Sequence, residues 1–185
     1  MHAFDQKALC GDIHVRYARP DETLAALNQT TLTLAQDDLV IADDNHALAL
    51  AGIIGGADSA VGTETVDIFL ESASFLPAHQ AGKARRHKLS TDSSFRFERG
   101  VDFALPAVAL ALATAWIVAI CGGEAQPVVS HGTPPVARAP ITLRRMRIDE
   151  MLGFVIADQN IENILSDLGC EVIHQNINKS INKNR

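Results

Sequence analysis

Ala47-Leu-Ala-Leu-Ala-Gly-Ile-Ile54 is an uncharged apolar run that stops at Gly55-Gly56. A run of this length bounded by turn residues predicts a strand buried on both faces, although periodicity alone leaves a short buried helix open. The glycines after it have no Cβ. They can take positive φ or let a ligand or a second segment approach the backbone, which makes Gly55 and Gly56 candidate pocket walls; an ordinary bulge or turn is the plain alternative. Downstream, Glu71 interrupts a second apolar run, Ile68-Phe-Leu-Glu-Ser-Ala-Ser-Phe75. A carboxylate in such surroundings is costly unless it is hydrogen-bonded or changes protonation state. Glu71 therefore needs either a ligand or a structural partner such as an arginine or a backbone amide.

With 185 residues, 47% of them hydrophobic, the chain can build one core and part of a second domain. A net charge of -6 argues against holding nucleic acid by overall basicity, though local basic patches could still do so. Cys10, Cys121 and Cys170 stand far apart without CxxC pairing, which fits reduced thiols in a cytoplasmic protein and gives no zinc signature. Met1-His-Ala-Phe-Asp lacks the regions of a signal peptide. Phe103 to Gly123 has no charged residue, so hydropathy alone would flag a membrane span. A buried, Ala-rich core helix is the preferred reading: Asp102 can cap it, Pro106 sits near its first turn, Cys121-Gly-Gly-Glu124 stops it, and no Lys or Arg anchors either end.

Ile13-His-Val-Arg-Tyr17 alternates as a half-buried strand would, and Ala18-Arg-Pro-Asp-Glu22 turns it. Leu24 to Leu34 predicts a hairpin around Asn28-Gln29. Leu39-Val-Ile-Ala42 predicts a strand, and Asp43-Asp-Asn-His46 a turn into the central run. Pro77 to Leu89 reads as a helix whose polar face carries Lys83, Arg85, Arg86 and Lys88. Four prolines between 127 and 140 predict a linker. Beyond it, apolar residues at 161, 164, 165 and 168 follow helical spacing, and Gly169 ends the pattern. From Gln175 the composition becomes an Asn- and Lys-rich low-complexity tail, expected to be disordered.

Ala51-Gly-Ile-Ile-Gly-Gly-Ala-Asp-Ser-Ala-Val-Gly62, Leu70-Glu-Ser-Ala73, Gly82-Lys-Ala-Arg-Arg-His87 and Ser90-Thr-Asp-Ser-Ser-Phe-Arg-Phe-Glu-Arg-Gly-Val-Asp102 occur in this order and spacing. Together they closely resemble the B3/B4 region of the bacterial phenylalanyl-tRNA synthetase beta subunit. The segment after the linker resembles the opening of that family's B5 domain. The resemblance implies an α+β fold, a B3/B4-like mixed sheet with packed helices followed by a partial helical B5-like segment. Its domains would be residues 1–126 (B3/B4-like), 127–140 (linker), 141–173 (start of B5) and 174–185 (tail). It also implies a piece of a longer subunit, with the upstream part of B3/B4 absent, Met1 an internal methionine and the B5 domain broken off, as a fragment or a prematurely ended reading frame.

In the family this domain is similar to a proofreading hydrolase that deacylates tyrosine wrongly attached to phenylalanine tRNA. A synthetic pocket for an apolar ring rejects an added hydroxyl only modestly, so a second site with a partner for that hydroxyl improves selection. Glu71 matches the family residue that accepts the phenol, and Gly55 and Gly56 match the pocket glycines. His2, Thr91 and Ser93 match positions near the ester or an attacking water. The plain alternatives are a satisfied structural histidine and a helix N-cap cluster at Thr91-Asp-Ser-Ser. No GxSxG elbow, Cys-His motif or metal-ligand cluster appears in the sequence, which leaves a positioned water as the nucleophile. Arg85, Arg86, Arg96 and Arg99 are candidate contacts for the tRNA acceptor end, against a solvated helix face or internal pairs. No cofactor is expected in this segment. ATP and magnesium would belong to the complete synthetase, whose alpha subunit and phenylalanine tRNA are the implied partners, in the cytoplasm and away from any membrane. A structural, tRNA-contacting scaffold without activity of its own is the competing reading. Neither GxGxxG nor Gly-Lys-Ser/Thr is present to support nucleotide binding.

Overall fold

The computed structural model describes residues 1–132 and 139–174. The strands are β1 (His2–Asp5), β2 (His14–Tyr17), β3 (Thr23–Ala25), β4 (Thr31–Thr33), β5 (Leu39–Ala42), β6 (Ala47–Leu50), β7 (Ile54–Gly55) and β8 (Ile68–Glu71). The helices are α1 (Pro77–Gln80), α2 (Lys83–Arg86), α3 (Asp92–Arg99), α4 (Leu105–Cys121), α5 (Arg145–Leu152) and α6 (Asp158–Asp167). Antiparallel sheets followed by helices make this an α+β fold. The chain divides into two compact units, Met1–Pro135 and Val136–Arg185.

The first unit is built on an antiparallel sheet in the order β2–β5–β6–β7, accompanied by the antiparallel pairs β1–β8 and β3–β4. Single bridges, Phe4 to Ala60 and Ala26 to Gly56, link further segments. The central strands are buried on both faces. Val40 and Ala42 of β5 join Leu50 of β6 in one apolar cluster, while Ile41, Leu48 and Ala49 join Phe4 in another. Strands with two covered faces read as continuous apolar runs, which is why 47–50 showed no alternation. The run from Ala47 to Ile54 is nevertheless not one strand. It folds back on itself, with Leu50 opposite Ile54 and Ala49 opposite Gly55. The Ile53 amide donates to the Leu50 carbonyl at 3.0 Å, and Gly52 takes φ +69°, closing a turn that a Cβ would strain. The glycine that breaks the run is thus Gly52, earlier than the Gly55-Gly56 pair.

The hairpin around Asn28-Gln29 is present as β3–β4, with Gln29 at φ +66°. Strand β2 is more exposed than its alternation predicts: Val15 is 61% exposed and Tyr17 51%. It is an edge strand paired only with β5, so apolar alternation found no second layer to cover it.

Two helical expectations are corrected by backbone geometry and packing. The predicted helix over 77–89 is two single turns, α1 and α2, because Gly82 between them adopts φ +74° and its amide donates to Glu98 Oε1 at 3.2 Å. The predicted core helix forms as α4, with the Ala104 amide donating to Asp102 Oδ1 at 2.9 Å, but none of its residues is fully buried. Trp116 is 64% exposed and Ile120 81%, leaving a half-buried stripe along Pro106, Ala109, Leu110, Ala113 and Ile117. Apolar composition supplies one half of a packed interface, and burial needs an opposing surface as well. No described helix is long and apolar enough to cross a membrane.

In the second unit, α5 ends at Gly153 with φ +75°, and α6 ends near Gly169 with φ +81°. Arg145 holds the two helices together through Asp149, at 2.6 Å, Asp158 and the Ile156 carbonyl. Part of the expected linker, 133–138, and the expected tail from 175 onward lie outside the described residues.

Candidate functional site

Strand pairing brings the first residues of the chain to Glu71. In the β1–β8 register His2 lies opposite Glu71 and Phe4 opposite Phe69. Directly paired residues of an antiparallel ladder project from the same face, so the imidazole and the carboxylate share one corner. Phe4, fully buried, forms its floor, with its ring edge-on to His2 at 4.6 Å between centroids and tilted to Phe69 at 6.3 Å.

Both polar groups at this corner are underused. Glu71 Oε1 and His2 Nε2 are buried without a hydrogen-bond partner among the described residues. Burial pushes the Glu71 carboxyl above its ordinary range, an effect the positive chain terminus partly opposes. Burial likewise pulls the His2 imidazole below its ordinary value, and the terminal charge adds to that shift. At neutral pH the corner therefore presents an uncharged imidazole beside a carboxyl that retains its proton more readily than usual.

Gly55 stands directly against His2. A Cβ on Gly55 would lie 2.2 Å from His2 Cε1 and 2.6 Å from Nε2, so the missing side chain is the space the imidazole occupies. Gly56 serves backbone packing. Its Cβ would lie 2.6 Å from the Leu48 carbonyl oxygen, to which its own amide donates at 2.7 Å. Neither glycine has positive φ; close approach, and not turn geometry, is what each position requires.

Thr91 is committed to structure. Its Oγ1 accepts from the Ser94 amide at 3.0 Å in a capping box and donates to the Ile53 carbonyl at 2.9 Å, tying the start of α3 to the β6–β7 hairpin. Ser93 is half-buried on the first turn of α3. Among the arginines, Arg85 and Arg96 are exposed. Arg86 grips Asp37, with Nη2 donating to Oδ2 at 2.9 Å, and also reaches Asp38 at 3.3 Å. Arg99 lies over the Phe95 ring, its guanidinium carbon 3.6 Å from the centroid. The named residues thus separate into a His2–Glu71–Gly55 corner, the α3 cap held to the hairpin, and scattered cations.

A charged cluster that the sequence did not reveal joins α2 to the β4–β5 loop. Lys83 and Arg86 both pair with Asp37, holding its carboxyl well below the usual range, chiefly through Arg86. His87 Nε2 lies 2.6 Å from Asp38 Oδ2, where Asp38 is fully buried. These partners are far apart in the chain, and no local motif connects them. A shallow, open depression of about 260 Å³ beside them is lined by Tyr17, Gln36, Asp37, Ala78, His79 and Lys83. Its Lys83 and Asp37 already satisfy each other, so the His2–Glu71 corner, with unmet buried polar atoms, is the stronger candidate. Among the described residues, no group of three or more His, Cys, Asp or Glu is placed to hold a metal ion.

Comparison with known proteins gives a concordant picture. The chain is 52% identical over 175 residues to the phenylalanine--tRNA ligase beta subunit of Methylococcus capsulatus, covering 93% of this chain and 22% of that subunit. It is 49% identical over 174 residues to the subunit of the same name from Sodalis glossinidius, covering 93% of this chain and 22% of the relative. With that of Pectobacterium atrosepticum the identity is 50% over 176 residues, covering 94% and 22% respectively. The chain thus spans 22% of the length of these curated relatives. Residues 1–122, which carry the whole His2–Glu71–Gly55 corner, match the family model described as the B3/4 domain, and this chain belongs to that family.

Proposed function

We propose that the His2–Glu71 corner is the recognition end of a proofreading site that hydrolyses tyrosine misattached to phenylalanine tRNA. The supporting observation is the unpartnered, buried Glu71 Oε1. A buried acceptor left unpaired costs about 1–3 kcal/mol, and a phenol hydroxyl donating to it recovers much of that cost while a plain benzene ring recovers none. Discrimination by a hydrogen-bond partner is the stronger of the available sieves. The partly exposed Phe69 ring, two residues before Glu71 on the same strand and backed by the buried Phe4, offers apolar contact to the body of the amino acid. His2, neutral at physiological pH, can accept a proton from an attacking water or orient it toward the ester carbonyl. Thr91 acts in this reading by fixing the α3 terminus against the hairpin that carries Gly55, and Ser93 stands on the first turn of the helix so fixed.

In the same reading the parent assembly comprises the beta subunit, an alpha subunit and phenylalanine tRNA in the cytoplasm, and ATP and magnesium serve the complete synthetase. Residues 141–173 are the opening of a B5-like domain. The test is deacylation of Tyr-tRNA and Phe-tRNA by the wild-type chain and Glu71→Ala. Wild-type preference for the tyrosyl ester that disappears in the variant is the expected result; preference retained in Glu71→Ala removes the recognition role. The exposed apolar side of α4 supports the structural half of a second reading, in which this chain is a scaffold without activity of its own, with its tRNA contacts made by other parts of the chain. Absence of tyrosyl deacylation by a folded wild-type chain that still binds tRNA favours the scaffold.

A further inference from the structure

We infer that the outward face of α3 is a stacking platform for an unpaired base of a single-stranded RNA end, built from Phe95 and Arg99. The inference rests on the aminoacyl-tRNA reading above and adds a base-binding surface to it. Helix α3 turns Ser94 and Phe97 inward, Phe97 packing edge-on to Phe75 at 5.1 Å. Residues one turn apart share a face, so Phe95 and Arg99 stand together on the outer side of the helix. Phe95 is 58% exposed, whereas Phe97 two residues on is buried.

Arg99 makes this ring a layered surface. Its guanidinium carbon lies 3.6 Å above the ring centroid, and Nη1 donates to the Phe95 carbonyl at 3.0 Å, which fixes the plane. Neither Arg96 nor Arg99 forms an ion pair with a carboxylate of the described residues, and the neighbouring Glu98 is turned to the Gly82 amide. A flat, cationic, solvent-facing stack with a second arginine beside it suits a nucleobase and its phosphate, since bases stack on aromatic rings and on guanidinium planes alike. The platform also shares a rigid element with the candidate site. Helix α3 begins at Thr91, bonded to Ile53 at the foot of β7, the strand whose Gly55 lies against His2.

The test titrates the full 185-residue chain with a short single-stranded oligoribonucleotide bearing 2-aminopurine near its 3′ end, without an amino acid. Binding is expected to quench the probe. Phe95→Ala is expected to abolish quenching and weaken binding about tenfold, with the salt dependence unchanged. Phe95→Tyr is expected to restore both. Arg99→Lys should lose most of the quenching while retaining the salt dependence, because it keeps the charge and loses the plane. Melting curves identify any variant that has unfolded. A probe that is never quenched, or Phe95→Ala binding and quenching like the wild type, overturns the inference. Because the probe carries no amino acid, its result is independent of Glu71: a wild-type chain that quenches the probe but shows no tyrosyl preference removes the deacylase reading alone, and a wild-type chain with tyrosyl preference but no quenching removes the platform alone.

Discussion

His2 and Glu71 are opposed residue for residue across the β1–β8 ladder, and each presents a buried polar atom that no described protein group meets. Their environments shift the two groups in opposite directions, Glu71 upward and His2 downward, so that both favour the neutral form.

Glu71 couples stability to pH. Its carboxyl is raised above the ordinary 4.5, so the folded state holds the proton more tightly than the unfolded chain. That contribution to stability is fully present below the unfolded value and is lost as pH rises through the folded value. Glu71→Gln removes this dependence. Urea denaturation across pH 4 to 8 should show the variant gaining on the wild type as pH rises; a constant difference would contradict the burial of this carboxyl.

Gly55→Ala should destabilise the fold by about 1–3 kcal/mol, because its Cβ would overlap the His2 ring. The double variant Gly55→Ala with His2→Ala should recover part of that loss, giving a measurable coupling in a thermodynamic cycle. Additive losses would mean that the imidazole does not occupy this space.

Asp38→Ala should cost about 2 kcal/mol or more. It removes a fully buried acceptor shared by the His87 ring and the Ala35 amide and leaves both without it. Chemical denaturation reads the loss directly.

Thr91→Ala should lower stability by about 1 kcal/mol through loss of the cap and of the strap to Ile53. Thr91→Ser should retain most of it, since the hydroxyl alone makes both bonds. Thermal melts of the two variants separate a capping role from a methyl-packing one.

Trp116→Glu and Ile120→Lys on α4 should change stability by no more than about 0.5 kcal/mol, as both side chains face outward in this chain. A loss of several kcal/mol would show that something packs over them.

Local chemistry carried much of this structure into the sequence. The Asn28-Gln29 hairpin, the strand at Leu39 to Ala42, the Thr91 cap and the stop near Gly169 each depend on a few adjacent residues. Expectations that depended on distant surfaces fared differently. The run from 47 to 54 has the composition of a buried strand whether it continues or folds back, and the turn at Gly52 closes with Gln80 and Phe75 packed beside it. Helix α4 has core composition, yet burial depends on what lies opposite, which its own residues do not encode. For the candidate site, Glu71 stood out as a carboxylate among apolar neighbours. That His2 would lie opposite it, and that Gly55 would yield its side-chain volume to His2, follows only from a strand pairing between distant segments.

Since β1 and β8 are short and meet from opposite ends of the sheet-forming region, the corner they create lasts only while that four-residue seam stays zipped. Opening the seam would also draw Phe4 out of the core, so its free energy is set by the burial of that ring as well as by the ladder. A substrate bridging His2 and Glu71 would act as a clasp on the seam, and slowed amide exchange along β1 would report occupancy without any turnover being measured.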